Sequence, residues 1–272
     1  MTSILYLLPG VRQAQIKLNQ LTSYIPPPPP STRDDDDDNG AGTPRKILMV
    51  HGHPDPVHSY SAAIANQVED AAKEAGHEIR RISLYSSNPK EDAQNGYSPK
   101  FTKEEHQLQH ASGGDLEKRH LAKEVKEHLR LLLWCDTLIV VYPTWWMNTP
   151  AAVKGFFDRT LVHDIAWSLP QTANTTNTTN TADGSPAPAS TTGLIPKLTN
   201  ITHIVGVSTY GAPYSIVTLA GDNGRRMIAN SIRPIVSPSA TVAWLGLYDM
   251  DNTTHEHRTE FLGQVRQMIQ TL

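Results

Sequence analysis

The chain has 272 residues, 38% of them hydrophobic and 19% charged, with a formal net charge of -3. That length and apolar share can bury a core without staples, and a single cysteine, Cys135, rules out an intramolecular disulfide framework. Residues 1–44 carry -2 and the remainder -1, so the body lacks the basic face that nucleic-acid binding needs, and no apolar run is long enough for a membrane-crossing helix.

In chain order, "MTSILYLLPGVRQAQ" holds a short apolar stretch with no basic region before it, which makes a poor signal peptide. Arg12 and Lys17, with no acid before Asp34, leave room for a weak transit peptide; with one cysteine, a cytoplasmic protein is the expectation. Pro26–Pro30 and Asp34–Asp38 cannot pack a core, so residues 1–44 read as a disordered, Pro/Asp-rich tail. Such a tail is a solvated linker, or a segment that docks a protein partner, since proline runs are read by aromatic grooves.

The folded region is expected over 45–272. "KILMV" (46–50) is a short apolar strand. Residues 61–76 form a helix with Ile64, Val68 and Ala72 on one stripe and Gly76 at its end. "HEIRRISL" (77–84) alternates as a second strand, and 85–115 is a long polar excursion. Residues 115–135 read as a helix with Leu121, Val125 and Leu129 on one face. "DTLIVVY" (136–142) is continuously apolar, as in a sheet covered on both faces. A helix over 149–161 has Pro150 near its first turn. The Thr/Asn/Pro/Ala-rich residues 168–192 read as a low-complexity insertion inside the domain. "ITHIVGVST" (201–209) is the fourth strand, 221–235 a helix stopped by Pro234, "ATVAWLGLY" (240–248) the fifth strand, and 253–272 a closing helix. Five strands alternating with helices imply right-handed crossovers and a doubly wound parallel sheet with helices on both faces. Ligands of such sheets bind beyond the carboxyl ends of the strands.

Three loops at that edge stand out. "HGHPDPVHSYS" has neither a dinucleotide fingerprint nor a P-loop. Ser59 or Ser61 can cap the next helix, and hydroxyls with free amides there, with His53 as a further donor, form an anion site; the plainer reading is an N-cap serine and a turn histidine. His51, His53 and His58 with Asp55 lack ligand spacing, so no metal is expected. "PTWWMNTP" offers two indoles, a thioether and main-chain donors, which suits a flat, polarizable heterocycle; alternatively the indoles pack as core, and one of the two is expected to do so. In "STYGAPYS", Gly211 and Ala212 allow close approach beside Tyr210 and Tyr214, or simply satisfy a turn. There is no nucleophile elbow and no suggestive carboxylate pair, and Cys135 reads as inert packing. Few catalytic side chains beside a stacking platform point to a cofactor that carries the chemistry.

"KILMVHGHPDPVHSYSAAIANQ", "SLYSSNPKEDAQNGYSPKFTKEEH", "YPTWWMNTPAAVKGFFDRTL" and "VSTYGAPYS" come in the order and spacing of another group of proteins. They resemble the flavodoxin-like NAD(P)H:quinone oxidoreductase family, which includes quinone reductases, modulators of drug activity and potassium-efflux ancillary subunits. The resemblance covers about 45–271 apart from the insertion, and "YPTWWMNTPAAVKGFFDR" is its most specific element. It implies a flavodoxin-like five-stranded fold, noncovalent FMN or FAD, NAD(P)H as hydride donor, a quinone-like acceptor and a homodimer with active sites at its interface. Carried over by position, His53, Ser59, Tyr60 and Ser61 would meet the flavin phosphate or pyrophosphate. Pro143, Thr144, Trp145, Trp146 and Met147 would line the ring, largely through backbone, and Thr209, Tyr210, Gly211 and Ala212 would complete its pocket. The first loop is one residue longer than in quinone reductases, at Val57 and His58, and the family's double glycine is Gly211-Ala212. No histidine follows Tyr214 within reach, so no catalytic side chain is assigned. A flavin-binding regulatory subunit acting through a protein partner is the alternative; a one-electron carrier is disfavoured by the missing Ser/Thr-x-Thr-Gly loop and the nearly neutral body.

Overall fold

The computed structural model describes residues 43–85, 102–109, 113–170 and 193–272. Most of the tail (1–42) and of the insertion (171–192), and the parts of the polar excursion at 86–101 and 110–112, lie outside the described residues.

The apolar runs become the strands of one sheet: β1 (Lys46–His51), β2 (Glu78–Ser83), β3 (Thr137–Thr144), β6 (His203–Tyr210) and β7 (Thr241–Leu247), where β4 (Trp167–Ser168) and β5 (Ile195–Pro196) form a separate two-residue ribbon. The order is β2-β1-β3-β6-β7 and every pair in this sheet is parallel, with Met49 level with Arg81 on one side and Ile139 on the other. Successive strand residues point to opposite faces, so each run fills two cores at once. Ile47, Met49, Ile139, Val141, Val205 and Val207 join α1 (Tyr60–Glu74) and the C-terminal helix α7 (His255–Gln270). Leu48, Val50, Leu138, Val140, Tyr142 and Ile204 face the other way, onto α3 (Lys123–Trp134) and α4 (Ala151–Thr160), which follow the short helix α2 (Lys103–Gln109). This is the flavodoxin-like doubly wound sheet, with its change of winding direction between β1 and β3.

Three expectations are corrected. The helix read over 115–135 starts only at Lys123. Upstream, Asp115 Oδ1 accepts the Glu117 amide and buried Arg119 donates to the Gly113 carbonyl, so 115–121 wraps as turns and Leu116 enters the core. The helix read over 221–235 is three short pieces: α6 (Asn223–Met227), a π turn (Ile228–Ile232) and a 3-10 turn (Arg233–Ile235). Gly221 (φ 98°) and Asp222 (φ 44°) bend its entry, and Pro234, which has no amide to donate, ends it. Pro150 is the N-cap of α4, one position outside the helix. Two helices escaped the sequence reading, α2 and α5 (Tyr214–Leu219). The ribbon pairs Ser168 with Ile195 and so brings together the two chain ends that flank residues 171–192.

Buried Arg159, near the end of α4, donates to Glu105 at 2.9 and 2.8 Å and to Glu124 at 3.3 Å, fastening α2 and α3 to the helix behind the tryptophan turn. Burial raises the Glu124 pKa above its ordinary value, and Arg159 opposes that shift.

Candidate functional site

The segment after β1 builds itself from local polar side chains. Asp55 Oδ1 accepts the amides of Val57 and His58 at 3.1 and 2.8 Å. The latter bond chiefly holds the Asp55 carboxyl below the usual carboxylate range. His53 Nδ1 lies 2.9 Å from the Asp55 amide nitrogen and 3.0 Å from the Asp55 carbonyl oxygen, and the tautomer of the ring follows which of the two it bonds. Ser59 is the N-cap of α1, accepting from the Ala62 amide at 3.0 Å and donating to the Asp55 carbonyl at 2.6 Å. Tyr60 turns away: its hydroxyl donates to the Arg258 carbonyl on α7 at 2.7 Å, and burial raises its pKa. Ser61 is only 4% exposed and lies 3.1 Å from His51 Nε2. Of the four residues expected at a phosphate, His53 and the amides of the first turn of α1 face the loop. The Ser59, Tyr60 and Ser61 side chains are engaged by the protein.

The segment after β3 is a tight turn closed by Trp145 N–H to Asn148 O and Asn148 N–H to Trp145 O, both 3.0 Å. Its central residues, Trp146 (φ 50°) and Met147 (φ 59°), are both left-handed, which large L side chains rarely adopt. That conformation carries Trp146 to the tip, 100% exposed, and leaves Trp145 41% exposed beside the His53 ring at 6.3 Å. The expectation that one indole packs as core is therefore corrected: neither does. The space beneath α4 is filled by Ala152, Val153, Phe156 and Phe157. Pro143 is buried in the strand, and the Thr144 hydroxyl meets Ser208 Oγ at 2.9 Å.

At the end of β6, Thr209 and Tyr210 are buried, and Gly211 and Ala212 then open the chain. Tyr210, 2% exposed, stacks on Tyr248 with ring centroids 4.4 Å apart and donates to Asp222 Oδ1 at 3.0 Å. Burial raises the pKa values of both Tyr210 and Asp222. Asn223 donates to the Met147 carbonyl at 3.2 Å, and the Asp249 amide to the Ala212 carbonyl at 3.1 Å. Asp222, Asn223 and Tyr248 thus brace the second and third loops, and none was singled out from sequence. A Gly-Asp-Asn-Gly stretch at 221–224 was the available signal, since left-handed entries favour those residues.

Between these loops lies a cavity of about 290 Å³ lined by Thr144, Trp146, Met147, Tyr210, Gly211, Ala212 and Val217. It brings together six of the expected ring residues; Pro143, Trp145 and Thr209 flank it without lining it. Among the described residues, the amides of Trp146 and Met147 have no acceptor, so two main-chain donors stand beside an apolar hollow. Gly211 leaves space there: the nearest atom to an added Cβ is Asp251 Oδ2 at 3.6 Å. The arrangement fits a flat heterocycle with acceptor atoms along one edge. Cys135 is buried and its thiol is pushed up to about 12, chiefly by burial. Among the described residues no group of three metal-ligating side chains exists, and no helix is long and apolar enough to cross a membrane.

An "Uncharacterized NAD(P)H oxidoreductase" of Haemophilus influenzae is 32% identical over 120 residues, 44% of this chain and 52% of that protein. The chain spans about half the length of the curated relatives it matches. Among solved structures, Smu.1420 from Streptococcus mutans UA159 superposes with a TM-score of 0.61 at 25% identity, over 84% of this chain and all of that one. An NAD(P)H:quinone oxidoreductase from Methanothermobacter marburgensis shares the fold, with a TM-score of 0.60 at 18% identity over 84% of this chain and 96% of that one. Residues 45–210 match the family described as "Flavodoxin-like fold", and with the sheet order and the loops above, the chain belongs to that family.

Proposed function

We propose that this protein is a flavin-dependent NAD(P)H oxidoreductase that passes two electrons, as hydride, to a quinone or similar small electrophile. One observation carries the reading: the cavity at the carboxyl ends of β3 and β6, walled by Trp146, Met147 and Tyr210, with the unpaired amides of Trp146 and Met147 beside it. The names of the Haemophilus and Methanothermobacter proteins support it.

Bound there, the flavin ring of FMN or FAD would supply the hydride chemistry that no side chain of the site provides. The two amides would hold the edge of the ring, and Gly211 and Ala212 would let it approach the backbone. The free amides at the start of α1 and the His53 ring would hold the phosphate. Trp145 and Trp146 would screen the nicotinamide and then the acceptor from water. Tyr210, its hydroxyl proton committed to Asp222, would form the apolar back wall. A second copy of the chain in a homodimer would cover Trp146, whose full exposure in a single chain is otherwise costly. One buried cysteine suits a cytoplasmic protein.

The test is spectroscopic. The purified protein should be yellow, bleach quickly with NADPH or NADH in the absence of oxygen, and regain its colour on adding menadione. A colourless protein that takes up neither FMN nor FAD would sink the reading. Light scattering at several concentrations checks the dimer, which a constant monomer mass would exclude.

A further inference from the structure

The wall of the cavity on the β6 side is backed by the turn that follows β7. The Asp249 amide donates to the Ala212 carbonyl at 3.1 Å, which ties this turn to the segment after β6. Asp249 is left-handed (φ 58°) and opens a 3-10 turn, Met250–Asn252. Side chains then fix the turn in place. Asn252 Nδ2 donates to Asp249 Oδ1 at 2.8 Å. The Met250 carbonyl accepts from the Thr253 hydroxyl at 2.8 Å and from the Arg258 guanidinium at 3.0 Å.

The second aspartate of the turn, Asp251, takes no part in this bracing. It is exposed, and among the described residues its carboxylate has neither a hydrogen bond nor an ion pair. It stands beside the cavity. Gly211, which lines the cavity, has no side chain, and Asp251 Oδ2, at 3.6 Å, is the nearest atom that a Cβ there would meet. None of the residues lining the cavity carries a charged side chain. The other charges around it are engaged: Asp249 by Asn252, and Arg258 by Met250 and Thr253. Asp222 is held by the Tyr210 hydroxyl and faces Arg225 and Arg226. Asp251 is thus a free negative charge on a rigid turn, next to the gap that Gly211 leaves open. Charges act over several ångströms, so it need not touch a ligand to favour or oppose it.

We propose that Asp251 sets the charge preference of the cavity for its electron acceptor: neutral and cationic quinones are admitted, and anionic quinones such as sulfonates are held off. The inference rests on the flavin reading, because it places the acceptor in this cavity against the ring. Asp251 is a specificity residue and transfers neither hydride nor proton.

The test reads binding without turnover. Full-length, flavin-loaded, oxidised protein is titrated in the absence of NAD(P)H with menadione, an anthraquinone sulfonate and a quinone bearing a quaternary ammonium group. Dissociation constants are taken from the change in flavin absorbance. In Asp251→Asn the sulfonate should bind about twofold to tenfold more tightly and the cationic quinone more weakly by a similar factor, as for removal of one partly screened charge several ångströms away. Menadione should be unchanged, and Asp251→Glu, which keeps the charge, should match the wild type. The differences should shrink in about 1 M salt, where screening acts within about 3 Å. An equal change for all three quinones would make Asp251 a matter of shape and overturn the inference. So would unchanged affinity for both charged quinones. A wild type that takes up no flavin, or that takes up flavin and binds none of the three quinones, instead defeats the functional reading itself, which separates the two failures.

Discussion

The loops that leave β1 and β3 start from neighbouring strands and meet at His53 and Trp145, yet they are built on opposite principles. The first, 52–59, has no left-handed residue among the described backbone, and its polar side chains hold one another: Asp55 to two amides, His53 to Asp55, Ser59 to Asp55 and the helix. The second, 145–148, is closed by two backbone bonds and braced from outside by Asn223 on the Met147 carbonyl, and it puts two large side chains in left-handed backbone, one fully in solvent. The first loop is low in strain and pre-oriented, as an anion site needs, because a ligand then meets donors already in place. The second stores strain to hold an aromatic face outward, and strain of this kind concentrates where ligands bind.

The largest expected effect tests the foundation of the first loop through pH. His51 is neutral in the fold with a pKa of about 3, and near 6.5 when unfolded. As pH falls below 6.5, the unfolded chain takes up a proton that the folded protein refuses until about pH 3. Stability from this group is therefore complete above 6.5 and is lost on acidification across that window, by up to about 1.4 kcal/mol per pH unit. His128, lowered to about 4 chiefly by burial, adds to the same limb. In His51→Gln the slope of unfolding free energy between about pH 5 and 6, from urea titrations, should fall by nearly one proton. An unchanged slope would mean that His51 is not held neutral.

Next comes the joint between the loops. A Cβ on Gly52 would lie 2.3 Å from Val153 Cγ2 on α4, a fully buried residue directly behind the tryptophan turn. Gly52→Ala should cost about 1–3 kcal/mol in urea denaturation, as overpacking of a dense core does. It should also blue-shift or broaden tryptophan emission if the first loop pushes on the second. A neutral substitution would show that the two loops are not packed through this contact.

Ser59→Ala should cost about 1 kcal/mol, the usual loss for an N-cap hydroxyl. The effect is smaller because the Asp55 bonds to Val57 and His58 remain. Chemical denaturation measures it, and a loss as large as that of Gly52→Ala would show that the loop hangs on the cap alone.

The same contrast explains what was legible in the sequence. The sheet could be read because apolar runs such as 46–50 and 136–142 fill both faces at once, with little ambiguity of period. The N-cap of the first loop could be read, as Ser59 or Ser61, because a cap acts within three residues of itself, whereas the part Asp55 plays in holding the Val57 and His58 amides was not read. The tryptophan turn could not: nothing in "WWMN" signals two left-handed residues, a role that glycine or asparagine would advertise. Tyr210 was expected at the ring pocket, but its hydroxyl partner Asp222 and its stacking partner Tyr248 come from segments brought near only by the strand order. The Arg81–His51 contact likewise depends on the register of β1 against β2, which one sequence does not display.

The smallest expected effect on stability is also the one of opposite sign. Trp146 is fully exposed, so its indole contributes no packing to the fold, while its φ of 50° is unfavourable for any residue with a Cβ. Trp146→Gly removes that penalty and loses no burial; the gain is partly offset by the greater freedom of glycine in the unfolded chain. The folded state should gain about 0.5–1 kcal/mol in urea denaturation, and the half-buried Met147, also left-handed, should show no such gain when changed to glycine because its packing is lost. The stabilised Trp146→Gly variant should at the same time turn over quinone more slowly at equal flavin loading. A gain in stability with undiminished turnover would mean that the strain at position 146 serves no ligand. A loss of stability would mean that the indole has a partner in solution, and a concentration-dependent mass would identify that partner as a second copy of the chain.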